Sequence, residues 1–264
     1  MSIRLVASDL DGTLVRSDGS LAERTVAALA AAEDAGLAVV FVTGRPLRWT
    51  REVFDHVGPH GLAVVSNGAM VWDVAGDAMR SVRAIEPDVA LEVTELIRTA
   101  VAGSAFAVET MSGIALEHSF MERHPIPDGA RRGTIAEIVD GPVLKLLARH
   151  EELAPLDFWD RAEAVVGSLV EITWSSTSSL LEMSAAGVTK ASTLALLCEE
   201  HGISAEEVLA IGDMPNDIAM LQWAGTSYAM ANAHESVLAV ADHVAASNDD
   251  HGVARVIEGL LGLP

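Results

Sequence analysis

The chain has 264 residues, of which half are hydrophobic and 21% are charged. That length supports one large core, or a core with a smaller satellite domain, and the composition excludes a disordered tail. The 38 Asp and Glu against 17 Lys and Arg give a formal net charge of −21. Such a field repels polyanions and argues against nucleic acid as a partner. A small phosphorylated ligand stays compatible, since a bound divalent cation and a few local Lys or Arg reverse the sign inside one cleft. The single cysteine, Cys198, excludes an intramolecular disulfide and reads as inert within the apolar face Leu194 to Cys198. No signal-type apolar region and no run of about 20 apolar residues is present, so the expectation is a soluble, cytoplasmic protein without a membrane partner.

In chain order, short apolar runs each end at a small or polar residue, the pattern of parallel strands buried on both faces. The first runs from Ile3 to Ala7 and stops at Ser8-Asp9. Leu21 to Gly36 follows as an alanine-rich helix with a glycine stop. Leu37 to Val42 leads into Thr43-Gly44, and Leu62 to Val65 into Ser66-Asn67-Gly68. From about Val82 to Ala186 the pattern changes. A helix is predicted over Pro87 to Ala102, strands over Phe106–Glu109, Val143–Ala148, Val170–Thr173 and Leu180–Met183, and a loop between Glu122 and Gly133. Thr189 to Gly202 reads as a second crossover helix, and Val208 to Ile211 as a strand before Gly212-Asp213. Strands alternating with helices predict an α/β fold with a doubly wound, mostly parallel sheet, interrupted by an inserted α+β domain. The boundaries expected are 1–82 and 187–264 for the core and 83–186 for the insertion.

The strongest local signal is Asp9-Leu10-Asp11-Gly12-Thr13, two carboxylates at the end of the first buried strand. Carboxylates this close raise one another's pKa unless a cation neutralises them, and an all-oxygen site suits magnesium. Asp-x-Asp alone is often only a surface turn. Here a second acidic group, Gly212-Asp213-Met214-Pro215-Asn216-Asp217, follows another apolar strand, so two strand ends can share one metal. Thr43-Gly44-Arg45 offers a hydroxyl and backbone amides to phosphate oxygens, with a plain strand-ending turn as its alternative. Lys190 follows the N-cap Thr189. A cation at a helix N-terminus opposes the macrodipole, which calls for an anion nearby, such as a phosphate between Lys190 and the aspartates. The nine histidines show no zinc spacing.

Taken in order, Asp-Leu-Asp-Gly-Thr, Thr-Gly-Arg, Gly-Val-Thr-Lys and Gly-Asp-x-x-Asn-Asp resemble the four motifs of the haloacid dehalogenase-like hydrolase superfamily. The place of the insertion, together with Ser66-Asn67-Gly68-Ala69 and Ala229-Met230-Ala231-Asn232-Ala233, resembles its Cof-type sugar-phosphatase branch with a large α+β cap. The resemblance implies that Asp9 is the nucleophile and Asp11 the general acid and base. It implies magnesium held by Asp9, the Asp11 backbone carbonyl and Asp213, with Asp217 in support. Thr43, Gly44 and Lys190 would bind the phosphoryl group, with a Leu10 amide and the Asn216 side chain adding contacts. Arg45 and Asn67 are divided between facing the substrate and supporting their loops. In the cap, His118, Arg123, His124 and Glu182 are candidates to meet a substrate, against a reading as ordinary solvated or structural residues.

The implied activity is magnesium-dependent hydrolysis of small phosphomonoesters, sugar or related metabolite phosphates, through an aspartyl-phosphate. A hexose-phosphate mutase would share the nucleophile but return the phosphoryl group to the sugar. A non-catalytic metabolite-binding protein on the same fold is the third alternative. A monomer and a homodimer are equally compatible with the sequence.

Overall fold

The computed structural model describes residues 2–57, 61–123, 125–173 and 179–263. The chain begins with β1 (Leu5–Ser8), α1 (Glu23–Asp34), β2 (Ala38–Val42), α2 (Leu47–Val57) and β3 (Leu62–Val65). A short 3-10 turn at Ser66–Gly68 leads into β4 (Met70–Asp73) and β5 (Ala78–Val82). The middle of the chain supplies α3 (Pro87–Ala100), β6 (Ala105–Thr110), β7 (Gly113–Glu117), β8 (Arg131–Gly133) and α4 (Ile135–Ile138). It continues with β9 (Val143–Arg149), α5 (Pro155–Val166), β10 (Val170–Thr173) and β11 (Leu180–Ala185). The last part contains α6 (Lys190–Glu200), β12 (Val208–Gly212), α7 (Ile218–Trp223), β13 (Thr226–Ala229), α8 (Glu235–Leu238), β14 (His243–Val244) and α9 (Gly252–Leu261). Two compact units result, one formed by Met1–Ser81 with Thr189–Pro264, the other by Val82–Val188.

The first unit holds an eight-stranded sheet in the order β14-β13-β12-β1-β2-β3-β4-β5. Its central strands pair in parallel, with Ser8 opposite both Ile211 and Phe41, while β4 runs antiparallel to its neighbour β3. β1 and β12 are buried along their whole length, as expected where helices cover both faces and no polar alternation is needed. Leu5, Ala7, Val40, Val64 and Ala210 pack on one face with Leu194, Leu197 and Cys198 of α6 and Met220 of α7. Each fully buried leucine there contributes roughly 1.5–3 kcal/mol from area removed from water. Burial pushes the Cys198 thiol up to about 11, which keeps it protonated and inert.

Along the sheet, β1 is followed by β2 on one side while β12 lies on its other side. The strand order therefore reverses at β1, the place where doubly wound sheets bind ligands beyond their C-terminal strand ends. The four strands β12, β1, β2 and β3 are neighbours spaced about 4.8 Å apart, so the loops leaving them lie within roughly 15 Å. Those loops begin at Asp213, Asp9, Thr43 and Ser66.

The second unit is a six-stranded sheet, β10-β11-β9-β6-β7-β8, antiparallel except for the β7–β8 pair. One face carries a core of Val93, Ile97, Phe106, Val108, Leu146, Phe158 and Ala162, contributed in part by α3 and α5.

Local differences from the sequence reading are small and have plain causes. β1 starts at Leu5 rather than Ile3 and includes Ser8, because parallel pairing with both neighbours extends to Ser8. The predicted loop over 122–133 ends in a strand, β8, where Arg131 to Gly133 pair with Ala115 to Glu117. The sequence reading does not predict β4–β5, β13 or β14; β5 and β14 are exposed along their length and carry no apolar run.

Candidate active site

The turn after β1 is closed by Thr13 N and Val15 N, which donate to the Leu10 carbonyl at 3.3 and 2.8 Å. Leu10 itself points inward and is fully buried. Gly12 has φ +73°, and a Cβ there would lie 2.3 Å from Asp213 Oδ2. Glycine is thus required twice, for the left-handed conformation and to let the Asp213 carboxylate approach the backbone. Thr13 Oγ1 donates to Asp213 Oδ1 at 2.8 Å. Asn232 Nδ2 donates to the Gly12 carbonyl at 2.7 Å, and Asn232 Oδ1 accepts from Asn248 N at 3.0 Å. These bonds fix the first loop against the one following β13.

Lys190 opens α6, whose N-cap is Thr189; the Thr189 side chain accepts from Ser192 N. Its side chain is 1% exposed, and Nζ donates to Asp9 Oδ1 at 2.6 Å and Asp217 Oδ1 at 2.5 Å. The anion that offsets its position at a helix N-terminus is therefore a pair of carboxylates within the protein. The predicted anion is thus present, as carboxylates where a phosphate is the example drawn from the sequence. Asp217 accepts three hydrogen bonds: Oδ1 from Lys190, and Oδ2 from Asp213 N at 3.1 Å and Met214 N at 3.0 Å. A Cβ on Gly212 would come within 2.6 Å of the Asp217 carboxyl carbon, so this inward turn also depends on glycine.

Asp9, Asp213 and Asp217 are buried, and each offers an oxygen within 4.8 Å of the others'. Burial holds the Asp9 carboxyl well above the usual range, with Asp217 and Asp213 pushing the same way against Lys190. Burial and then Asp217 push Asp213 up to about 7. Burial alone would lower the Lys190 ammonium, yet Asp217 and Asp9 outweigh it and raise it. With Lys190 charged, three ionised aspartates leave two surplus negative charges in a desolvated site, which is the charge of one divalent cation. Oxygen-only donors at this spacing suit a hard ion such as magnesium. Asp217 already accepts three hydrogen bonds, fixing Lys190 and the backbone of Asp213 and Met214, which leaves Asp9 and Asp213 better suited as direct ligands.

This charge balance predicts how magnesium binding depends on pH. Asp213 holds its proton more tightly folded than unfolded, so metal-free stability falls as pH rises from about 4 toward 7. A divalent cation held by Asp213 and Asp9 would displace their protons, so its affinity, measured by titration calorimetry, is expected to rise with pH up to at least about 7.

Thr43, just past β2, is 1% exposed; its Oγ1 accepts from Arg45 N at 3.0 Å. The neighbouring Ser66-Asn67-Gly68 turn has φ values of 52°, 55° and 109°. Two non-glycine residues in the left-handed region cost on the order of 1–3 kcal/mol each. Ser66 N donating to Arg45 O at 2.9 Å, Asn67 N to Thr43 O at 3.0 Å and Thr193 Oγ1 to Gly68 O at 2.8 Å hold the turn in place. Asn216 Nδ2 donates to Asn67 Oδ1 at 3.1 Å, while Asn216 Oδ1 is buried without a partner among the described residues. Gly44 lies beside this pair, and a Cβ there would be 3.0 Å from Asn67 Oδ1.

Arg45 turns toward Asp11. Nε donates to Asp11 Oδ2 at 2.7 Å and Nη2 to Oδ1 at 2.5 Å, and these bonds raise the guanidinium's pKa. Nη1 donates to the Trp49 carbonyl at 3.0 Å.

In the second unit the sequence candidates are scattered. His118 is exposed. Arg123 makes an exposed pair with Glu151 at 3.1 Å, worth at most about 1 kcal/mol. Glu182 is buried and accepts from Lys145 Nζ at 2.5 Å. His124 lies outside the described residues. Sequence reasoning gave no role to Thr13 or Asn232; both lie in segments it had singled out, directly after β1 and β13.

The sequence profile of the haloacid dehalogenase-like hydrolases matches residues 6–257. The 5-amino-6-(5-phospho-D-ribitylamino)uracil phosphatase of Bacillus subtilis is 30% identical over 259 residues, covering 97% of this chain and 95% of its own. The pyridoxal phosphate phosphatase of Escherichia coli is 28% identical over 272 residues, with 97% and 98% covered. Among solved structures, a haloacid dehalogenase-like hydrolase from Bacteroides thetaiotaomicron superposes with a TM-score of 0.78 at 27% identity, covering 98% of this chain and all of that one. Among the described residues no helix is long and apolar enough to cross a membrane. The chain belongs to the haloacid dehalogenase-like hydrolase family, in its Cof-type branch, and with it to the phosphoric monoester hydrolases.

Proposed function

We propose that the protein is a magnesium-dependent phosphatase of small phosphomonoesters, working through a phosphoryl group carried on Asp9. The observation that carries this reading is the buried convergence of Asp9, Asp213, Asp217 and Lys190 at the sheet's switch point. One buried ammonium and three buried carboxylates are costly to hold together for structure alone. The two similar phosphatases act, by their names, on a ribitylaminouracil phosphate and on pyridoxal phosphate. We extend from them only the class of small phosphorylated metabolite. We also assign the Val82–Val188 unit as the family's α+β cap.

In the proposed reaction an Asp9 carboxylate oxygen attacks phosphorus. The ester P–O bond breaks with its electron pair leaving on the alcohol oxygen, which takes a proton from Asp11. Asp11, now a carboxylate, then accepts a proton from water. That water oxygen bonds to phosphorus, and the Asp9–phosphorus bond breaks to return the carboxylate and release phosphate. Lys190 orients Asp9 and opposes its protonation, and shares the phosphoryl charge with the Thr43 hydroxyl and the Gly44 amide. Asp213, together with Asp9 and the Asp11 carbonyl, would hold magnesium, which supplies charge neutralisation to the phosphoryl oxygens when bound.

Purified protein is expected to release inorganic phosphate from a panel of sugar, nucleotide and cofactor phosphates with magnesium, and to lose this on chelation and regain it on readdition. Phosphate release that is unchanged after exhaustive chelation would remove the metal from the proposal. Acid quenching with labelled substrate reports the covalent step separately.

A further inference from the structure

The Arg45–Asp11 contact has a geometry that a substrate-binding arginine does not need. The guanidinium fork meets both carboxylate oxygens of Asp11, at 2.7 and 2.5 Å. The arginine is the fixed partner. Its third nitrogen is tied to Trp49 O, its backbone N to Thr43 Oγ1 and its carbonyl to Ser66 N. Its side chain is 22% exposed, whereas that of Asp11 is 58% exposed. A carboxylate so open to solvent has two torsions that nothing in its own loop confines. A bidentate contact to an anchored guanidinium confines both at once, which a lysine's point charge cannot do.

We propose that Arg45 is a positioning residue for proton transfer: it orients the Asp11 carboxyl, through both oxygens when Asp11 is ionised and through the unprotonated oxygen when Asp11 carries its proton, and it does not itself bind the substrate. The proposal rests on the reading of Asp11 as the general acid and base. General acid catalysis matters most when the leaving oxygen is a poor leaving group, such as an alkoxide, and least when it is a stabilised phenolate. Loss of Asp11 alignment therefore has a signature that loss of substrate binding lacks: kcat falls selectively for alkyl phosphates while KM stays constant.

The test compares wild type, Arg45→Met, Arg45→Lys, Asp11→Asn and the Arg45→Met/Asp11→Asn double variant. Each is assayed on an alkyl phosphate and on a dinitrophenyl phosphate, with circular dichroism confirming the fold. Single-turnover release of the alcohol or phenol isolates the first step. Arg45→Met is expected to lower this rate about 100-fold for the alkyl ester and less than about fivefold for the aryl ester, at unchanged KM. Arg45→Lys is expected to recover little, because it restores charge without the fork. The double variant is expected to be no slower than Asp11→Asn. A rise in KM of about tenfold with kcat intact, for both esters, would instead make Arg45 a substrate ligand and overturn the proposal. So would equal losses on both esters, or independent, multiplying losses in the double variant. If Asp11→Asn itself matches wild type on the alkyl ester, the assignment of Asp11 falls and takes this proposal with it. If Asp11→Asn is impaired and Arg45→Met is not, the role of Arg45 alone is wrong.

Discussion

Asp9→Asn is expected to lower phosphate release by at least about four orders of magnitude, the scale seen when a covalent nucleophile is removed from a site that otherwise keeps its shape. The replacement is nearly isosteric, and the Asp9 backbone bond to the Ile211 carbonyl at 3.0 Å does not involve the side chain. The amide cannot form the acyl phosphate, so acid-quenched protein should carry no label from labelled substrate. The fold should persist. The substitution removes one negative charge from a site where burial, Asp217 and Asp213 already favour the protonated form of Asp9, so the metal-free variant should melt no lower than wild type. Magnesium affinity should fall at the same time if, as proposed, Asp9 is one of the ligand carboxylates. Activity within about tenfold of wild type, measured on protein free of any contaminating phosphatase, would remove Asp9 from the mechanism.

Much of this site was legible in the sequence because its four loops each follow a short, mostly apolar run. A strand buried on both faces needs no alternation, so its end is marked sharply by the first polar residue, as at Val42-Thr43 and Ile211-Gly212-Asp213. What was not legible depended on side-chain direction between distant segments. Arg45 and Asp11 are 34 positions apart, and nothing in Thr-Gly-Arg says whether the guanidinium faces a ligand or the first loop. Lys190 was recognised as a cation in need of an anion, but its two carboxylate partners come from loops 181 and 27 residues away in sequence. Asn232 is similar: its role is to hold the Gly12 carbonyl from across the sheet, and no local pattern encodes that. β5 and β8 escaped for the simpler reason that they are polar and mostly exposed, so no apolar run marks them.

Lys190→Met should cost both activity and the fold's stability, and the second effect is the more informative. The ammonium is 1% exposed and is hydrogen-bonded to Asp9 and Asp217, of which the latter is fully buried. Deleting one partner of a buried ion pair leaves the other charges desolvated and unpaired, which typically costs about 3–5 kcal/mol. For a chain of this size that corresponds to a fall in Tm of roughly 10 °C. The loss should shrink at acid pH, because the orphaned carboxylates can then take up protons instead of staying charged. It should also shrink at saturating magnesium, since a divalent cation replaces part of the missing positive charge. A plain cavity left by a shortened side chain would show neither dependence. Calorimetric melting of wild type and variant at about pH 5 and about pH 8, each with and without magnesium, therefore separates an electrostatic role for Lys190 from a packing one. A uniform destabilisation across all these conditions would leave the lysine a structural filler and would weaken the case that this cluster is balanced around a cation.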